Sequence, residues 1–162
     1  MRSAEHAEAA LSLLSGRWAV EERSGNLRRI GAALGLRGPG GAIVQVERGG
    51  VATEGDALIG PVWRRCRRWS IQAGGALMLE RHEPRLGWVR LHTLILREEG
   101  GALTGEADDL CGSDLYAARL RFRPERLEFA WVVRGPAKRH EVRSLYAPAD
   151  GCDRRALTVT SR

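Results

Sequence analysis

Apolar and polar side chains alternate at every second position over much of this chain, the period of a β-strand with one buried face. Tyr116, Ala118, Leu120 and Phe122 fall on one side of a segment whose other side carries Arg119, Arg121 and Arg123. Leu127, Phe129, Trp131 and Val133 continue the apolar face in the next segment. Beyond the Gly135-Pro136 turn, His140, Val142, Ser144 and Tyr146 point the same way. The inner face therefore becomes more polar toward the end of the chain. Only residues 4–14 show the 3.6-residue period of a helix, with Ser3 placed to cap it, Ala7, Ala10, Leu11 and Leu14 on one face, and Gly16 as a stop. From Arg17 onward the pattern predicts short strands at 17–23, 28–34, 42–47, 51–58, 62–71, 76–82, 88–96, 102–108, 114–123, 126–134 and 139–146, with a last one at 155–160.

Short strands, tight glycine connections and one helix predict an all-β, antiparallel architecture, either a barrel or a sandwich. The barrel is preferred because closure removes exposed edges, and because polar groups on an inward face suit a cavity better than a dry sheet-to-sheet interface. The expectation is an up-and-down barrel of eight to ten strands behind a short N-terminal helix. It forms a single domain over residues 1–162, with the helix at about 4–14 and the barrel at about 17–160.

With 162 residues, 43% of them hydrophobic, one core is expected to bury roughly two thirds of the unfolded surface. No run approaches the ~20 apolar residues that span a bilayer, and the N-terminus lacks the pattern of a secretory signal. A soluble, cytoplasmic protein that does not engage membranes is expected. Cys66, Cys111 and Cys152 are an odd number at wide spacing, so reduced thiols are expected rather than a disulfide framework or a zinc site. The net charge is +6, and because Lys138 is the only lysine, arginine supplies nearly all the basic charge. The one dense cluster is Arg64-Arg65-Cys66-Arg67-Arg68, between Trp63 and Trp69. Basic surface attracts nucleic acid or anionic ligands. No recognition-fold signature accompanies it, so nucleic acid is not the expected partner. A homodimer is compatible with the pattern.

Two motifs stand out: Leu110-Cys111-Gly112-Ser113-Asp114-Leu115-Tyr116, and Trp131-Val132-Val133-Arg134-Gly135-Pro136-Ala137-Lys138. With a final Tyr146, they resemble those of a bacterial family with a lipocalin-like (calycin) barrel and no settled activity. Gly16-Arg17-Trp18 is similar to the Gly-x-Trp that opens the first strand of lipocalin-like barrels, and Leu91-His92-Thr93-Leu94 to a Phe-His-x-Phe strand of that family. The resemblance runs from about Leu14 to Tyr146 and implies a lipocalin-like barrel. There are two departures. Asp109 stands where the family pattern has His, and Arg139-His140 stands where it has Asp-Tyr.

Asp109, Cys111, Asp114 and Tyr116 can form a polar site at a barrel mouth, or simply a turn. Cys111 is a nucleophile only if His92 or His140 comes close; otherwise it is a buried, inert thiol. His92 shares a face with Trp88, Arg90, Leu94 and Leu96, but the opposite face, Val89, Leu91, Thr93 and Ile95, competes for the core. His82 is expected to be exposed and His6 incidental. Arg65 and Arg67 point into the lumen if Trp63 and Trp69 do, which implies an anionic ligand. The simpler reading is a bulged or edge strand with all four arginines in solvent. Lys138 can hold a carboxylate or phosphate at the mouth, or stand free on a turn. Trp18, Phe129, Trp131 and Tyr146 are walls or floor in either reading.

The leading expectation is binding of a hydrophobic or amphipathic, anionic small molecule, with no metal or other cofactor. The binding set is Tyr116, Trp131, His140, Ser144, Tyr146, Trp18, His92, Arg65, Arg67 and Lys138. The alternatives are a cyclase or isomerase acting on a polyene or polyketide-like substrate, with Asp114, Tyr116 or His92 moving protons, and an arginine-rich interaction module. Barrel architecture by itself does not choose among them.

Overall fold

The 3.6-residue period becomes helix α1 (Arg2–Leu14), with Ala7, Ala10, Leu11 and Leu14 buried. The computed structural model describes residues 2–53, 55 and 58–149; the expected strand at 155–160, and Cys152, lie outside them. The alternating segments become β1 (Gly16–Ser24), β2 (Leu27–Arg37), β3 (Ile43–Ala52), β4 (Leu58–Ile71), β5 (Leu77–Glu83), β6 (Gly87–Leu94), β7 (Arg97–Glu99), β8 (Ala102–Cys111), β9 (Asp114–Arg123), β10 (Arg126–Gly135) and β11 (Lys138–Pro148). All lie in one antiparallel sheet ordered β6-β5-β4-β3-β2-β1-β11-β10-β9-β8-β7. It is an up-and-down meander in which the first and last strands pair, Trp18 opposite Pro148 and Glu22 opposite Ser144.

Only Ile95 and Leu96 separate β6 from β7, so the two are one bent strand, which accounts for the single strand expected at 88–96. Its first half pairs with β5 and its second half with β8, and this bend curls the sheet into a barrel. The ladder between β7 and β8 matches Arg97 with Thr104 and Glu99 with Ala102. Continued backward, that register sets Leu96 against Gly105 and His92 against Asp109, where no ladder joins β6 to β8. The wall is thus laddered at one end of this seam and held by side chains at the other.

Two irregularities decide which residues face the lumen. Leu79 pairs with His92 while Glu80 pairs with Arg90, so Leu91 is an extra residue in β6. A bulge of this kind exchanges the two faces of a strand. Val89 and Leu91 are half-buried before it, and His92, Leu94 and Leu96 are buried after it. The two faces that competed in the sequence each win over half the strand. A second shift lies between Gly49 and Val51. The expected strand at 51–58 is not separate: Val51 and Ala52 end β3, and Leu58 opens β4.

The lower lumen is packed solid. Trp69 makes edge-to-face contacts with Phe122 at 6.4 Å and Phe129 at 6.5 Å, and Leu11, Leu14, Ile43, Leu77, Leu79 and Leu94 complete the cluster. Helix α1 closes this end, and glycines let it seat. A Cβ on Gly75 would lie 2.5 Å from the Ala4 nitrogen, and one on Gly35 would lie 2.0 Å from the Leu14 carbonyl oxygen. Ser3, expected to cap the helix, instead donates from Oγ to the Gly75 carbonyl at 3.0 Å. His6, expected to be incidental, donates from Nδ1 to the Leu96 carbonyl at 3.2 Å. Both bonds pin the helix to the barrel rim.

Gly35→Ala should destabilise the protein by about 3 kcal/mol, because its Cβ meets backbone that cannot yield. Gly105→Ala, whose Cβ would meet the movable Leu96 Cδ2 at 2.6 Å, should cost only about 1 kcal/mol. Urea unfolding midpoints of the two variants, measured side by side, check this order.

Candidate functional site

Above the packed floor, the inward positions of five strands carry charge. Alternation that buries Trp18 and Val20 on β1 also buries Glu22, and alternation that buries Ile43 and Gln45 on β3 buries Glu47. On β4, Trp63, Arg65, Arg67 and Trp69 alternate inward; Arg67 is buried and Arg65 is half-buried. The reading that leaves all four arginines in solvent therefore fails. Arg64 is exposed, while Arg68 lies on the outer wall, held by Glu80 and stacked 4.6 Å over Trp88.

Arg65 bridges the two carboxylates, donating from Nε to Glu47 Oε2 at 2.5 Å and from Nη2 to Glu22 Oε2 at 2.8 Å. Glu47 Oε1 also accepts from Arg67 Nη1 at 2.9 Å and from the Tyr146 hydroxyl at 2.6 Å. The Tyr146 oxygen accepts from Arg67 Nη1 at 2.7 Å. Glu22 is completed by Arg29 Nη1 at 2.8 Å and by the Ser144 hydroxyl at 3.0 Å. Burial alone would raise the Glu22 pKa, but the Arg65 charge and the bonds from Arg65, Arg29 and Ser144 outweigh it and hold the value below the usual 4.5. Burial also drives the Tyr146 pKa far up against the pull of Arg67, so Tyr146 stays a neutral donor.

A cavity of about 210 Å³ lies above this network. The arc from β5 to β2 lines it with Arg81, Arg67, Arg65 and Arg29; β10 and β11 supply Phe129, Trp131 and Val142; β6 adds Leu91. The Arg67 guanidinium stacks 5.1 Å over the Phe129 ring. Another cleft, about 290 Å³ and lined by Glu21, Arg23, Arg126 and Arg143 among others, is largely bounded by outward-facing positions of the wall. Its salt bridges, Arg23 to Glu21 at 2.8 Å and Arg143 to Glu141 at 2.6 Å, are surface pairs of little energetic weight.

Tyr116, Trp131 and His140 form a chain of rings near the mouth, Tyr116 5.8 Å from Trp131 and Trp131 6.5 Å from His140; Trp131 and His140 line the cavity, as does Ser144. Trp18 is buried in the core and does not line the cavity. His92 is buried and its Nδ1 lies 2.8 Å from Asp109 Oδ2, the two standing opposite each other across the seam; neither lines the cavity. Asp114 takes up Lys138 at 3.0 Å and packs over Gly135, where a Cβ would lie 1.9 Å from its Oδ1. The Gly-Pro-x-Lys motif thus clips two neighbouring hairpins together. Cys111 is free and exposed rather than buried. Burial raises the Cys66 pKa, so its thiol is not activated. His82 is exposed, as expected.

Sequence reasoning missed Glu22, Glu47, Arg29 and Arg81. The signal was present: Trp18-x-Val20-x-Glu22 and Ile43-x-Gln45-x-Glu47 each put an acid on an apolar face. Among the described residues, no three His, Cys, Asp or Glu side chains converge as metal ligands.

A family model described as a family of unknown function (DUF6314) matches residues 14–148. No curated protein matches. Of solved structures, "Structure of EF1p2_mFAP2b bound to DFHBI" aligns over 88% of this chain and 98% of its own, with a TM-score of 0.50 and 11% identity. "Structure of a redesigned beta barrel, b11L5F_LGL" aligns over 85% and 93%, with a TM-score of 0.44 and 11% identity. At 11% identity, the first likeness speaks to the barrel fold alone. The lipocalin-like kinship read from the motifs is finer than any of these matches.

Glu47→Ala should destabilise the protein by about 3–5 kcal/mol, since it leaves the buried Arg67 with no acid and Arg65 with Glu22 alone. Tyr146→Phe should cost about 1–2 kcal/mol, the loss of hydrogen bonds to charged groups; thermal unfolding of both variants checks the order. Glu22 has a depressed folded-state pKa, so its stabilisation is complete above the ordinary value of 4.5 and is lost as pH falls through the lower folded value. Acid titration of the unfolding free energy should show this loss, with a shallower acid limb in Glu22→Gln. Asp109→Ala should speed amide hydrogen exchange in Gly87–Leu91 and Glu106–Cys111 while leaving β1–β11 pairing protected.

Proposed function

Because the chain belongs to the DUF6314 family of unknown function, we propose its activity from its own lumen: it binds a small amphipathic anion inside a lipocalin-like barrel. The observation that carries this reading is the charge balance at the cavity. Arg29, Arg65, Arg67 and Arg81 line it. The acids holding them are Glu22, Glu47 and, through a 2.5 Å pair with Arg81, Glu83. Four guanidinium groups against three carboxylates leave one positive charge in excess beside Phe129, Trp131, Val142 and Leu91. Unbalanced charge held partly out of water is costly, and an anionic ligand relieves that cost. Few placed polar groups on a mostly apolar wall are the usual make-up of a small-molecule site.

Isomerase or cyclase chemistry is a second reading, favoured by the His92–Asp109 pair alone. The carboxylate fixes one ring nitrogen and leaves the other for proton transfer. It has less support, because Asp114 is engaged by Lys138, and neither Tyr116 nor His92 lines the cavity. The binding reading keeps the protein a single-domain, cytoplasmic binder with no dedicated nucleic-acid partner.

Calorimetric titration with aromatic and aliphatic carboxylates, each beside the neutral alcohol of the same skeleton, tests the reading. At least one carboxylate should bind, its alcohol should not, and Arg81→Met at the rim should weaken binding roughly tenfold without lowering the melting temperature. Absence of binding by every carboxylate, in protein that native mass spectrometry shows to be ligand-free, would sink it.

A further inference from the structure

The lumen narrows the ligand to one chemical class. We infer, building on the anion-binding reading above, that the ligand is a single-ring aromatic monocarboxylate, its ring against Trp131 and its carboxylate among Arg65, Arg67 and Arg81. Four independent features lead there.

Size comes first. The cavity is about 210 Å³, below the roughly 300–1,000 Å³ of sites that enclose drug-sized ligands. Its floor is sealed: Trp69, Phe122 and Tyr146 are each no more than 1% exposed, and α1 closes the barrel beneath them. An acyl chain could extend only through the mouth into water, and a polyene or polyketide-sized skeleton does not fit inside.

Charge comes second. One guanidinium in excess calls for one negative charge. A dianionic phosphate ester would leave a charge uncompensated on the other side of the balance, whereas a carboxylate closes it and matches the planar guanidinium fork. Shape comes third. The cavity is lined by guanidinium groups from one arc and by Phe129 and Trp131 from the other, and a flat ring can stack on both kinds of group. The Arg67 guanidinium already lies over the Phe129 ring, so guanidinium and aromatic surfaces already meet on this wall. A rigid ring also loses less conformational freedom on binding than a chain of equal size.

The fourth feature is an open valence. Arg67, 6% exposed, lines the cavity, and its Nε has no hydrogen-bond partner among the described residues although the group is enclosed. A buried donor in this state is costly unless something accepts from it. A carboxylate that reaches Arg67 from the cavity would accept from it, beside Arg81, which stands opposite Arg67 across β4 and β5.

Benzoate, phenylacetate, octanoate, phenyl phosphate and benzyl alcohol would be titrated into the intact protein by calorimetry. Benzoate or phenylacetate should bind at least roughly tenfold tighter than octanoate and phenyl phosphate, with benzyl alcohol weaker than either. Trp131→Leu should erase the preference for the ring over octanoate while Trp131→Phe keeps it; circular dichroism confirms that both variants are folded. Tighter binding of octanoate, or of phenyl phosphate, overturns the aromatic monocarboxylate and leaves the anion-binding reading standing. Failure of all four anions to bind overturns both.

Discussion

Arg65 holds two buried carboxylates that belong to different strands, and the inner architecture follows from having to satisfy that arrangement. Ions taken out of water lose several kcal/mol of hydration each, which their mutual attraction repays only when the remaining donors and acceptors are also engaged. Here Glu22 and Glu47 are almost fully enclosed, and Arg29, Arg67, Ser144 and Tyr146 supply the missing partners. The cluster therefore ties β1, β2, β3, β4 and β11 together across the lumen. A core filled by leucine there would need none of this. That the sequence spends five strands' inward positions on polar groups is the strongest sign that the upper lumen serves something other than packing.

The two ends of the barrel have opposite tasks. At the lower end, glycines at 35 and 75 remove the side chains that would hold α1 away, and the helix completes an apolar cluster around Trp69. At the upper end, the rings of Tyr116, Trp131 and His140 stand in sequence near the mouth and leave room beside the arginines. The bent strand β6–β7 joins the two regimes. Its second half is laddered to β8 near the helix, and on its first half His92–Asp109 is the one side-chain hydrogen bond to β8 among the described residues. Stability should accordingly be greatest around the floor and lowest along the upper seam, where exposed backbone groups have few partners.

Much of the fold was legible. Period-2 alternation located nearly every strand, and it assigned the inner faces of β9, β10 and β11 without error, because these strands are regular and one face is plainly apolar. It was weaker in β6, where the bulge at Leu91 exchanges faces midway and makes either single assignment half right. It was weaker still for Glu22 and Glu47. An acid at an inward position normally argues against that face being inward, and nothing local reveals that the partner guanidinium waits on another strand. Lys138 and Asp114 illustrate the converse: two residues that look like chemistry in the motifs are spent on each other.

What the sequence alone determined was local: a helix at the start, alternating strands after it, glycine turns, and an inner face that grows polar toward the C-terminus. Those properties depend on neighbours two to four residues apart, which a chain displays openly. Only the tertiary structure decided which charges meet. Glu22 and Arg65 are 43 residues apart, and Glu47 and Tyr146 are 99, and their bonds exist because the first and last strands pair and the sheet curls. Whether an inward arginine reaches outward for a ligand or inward for its own glutamate depends on that closure, since an ion pair is set by distance in space and not by spacing along the chain.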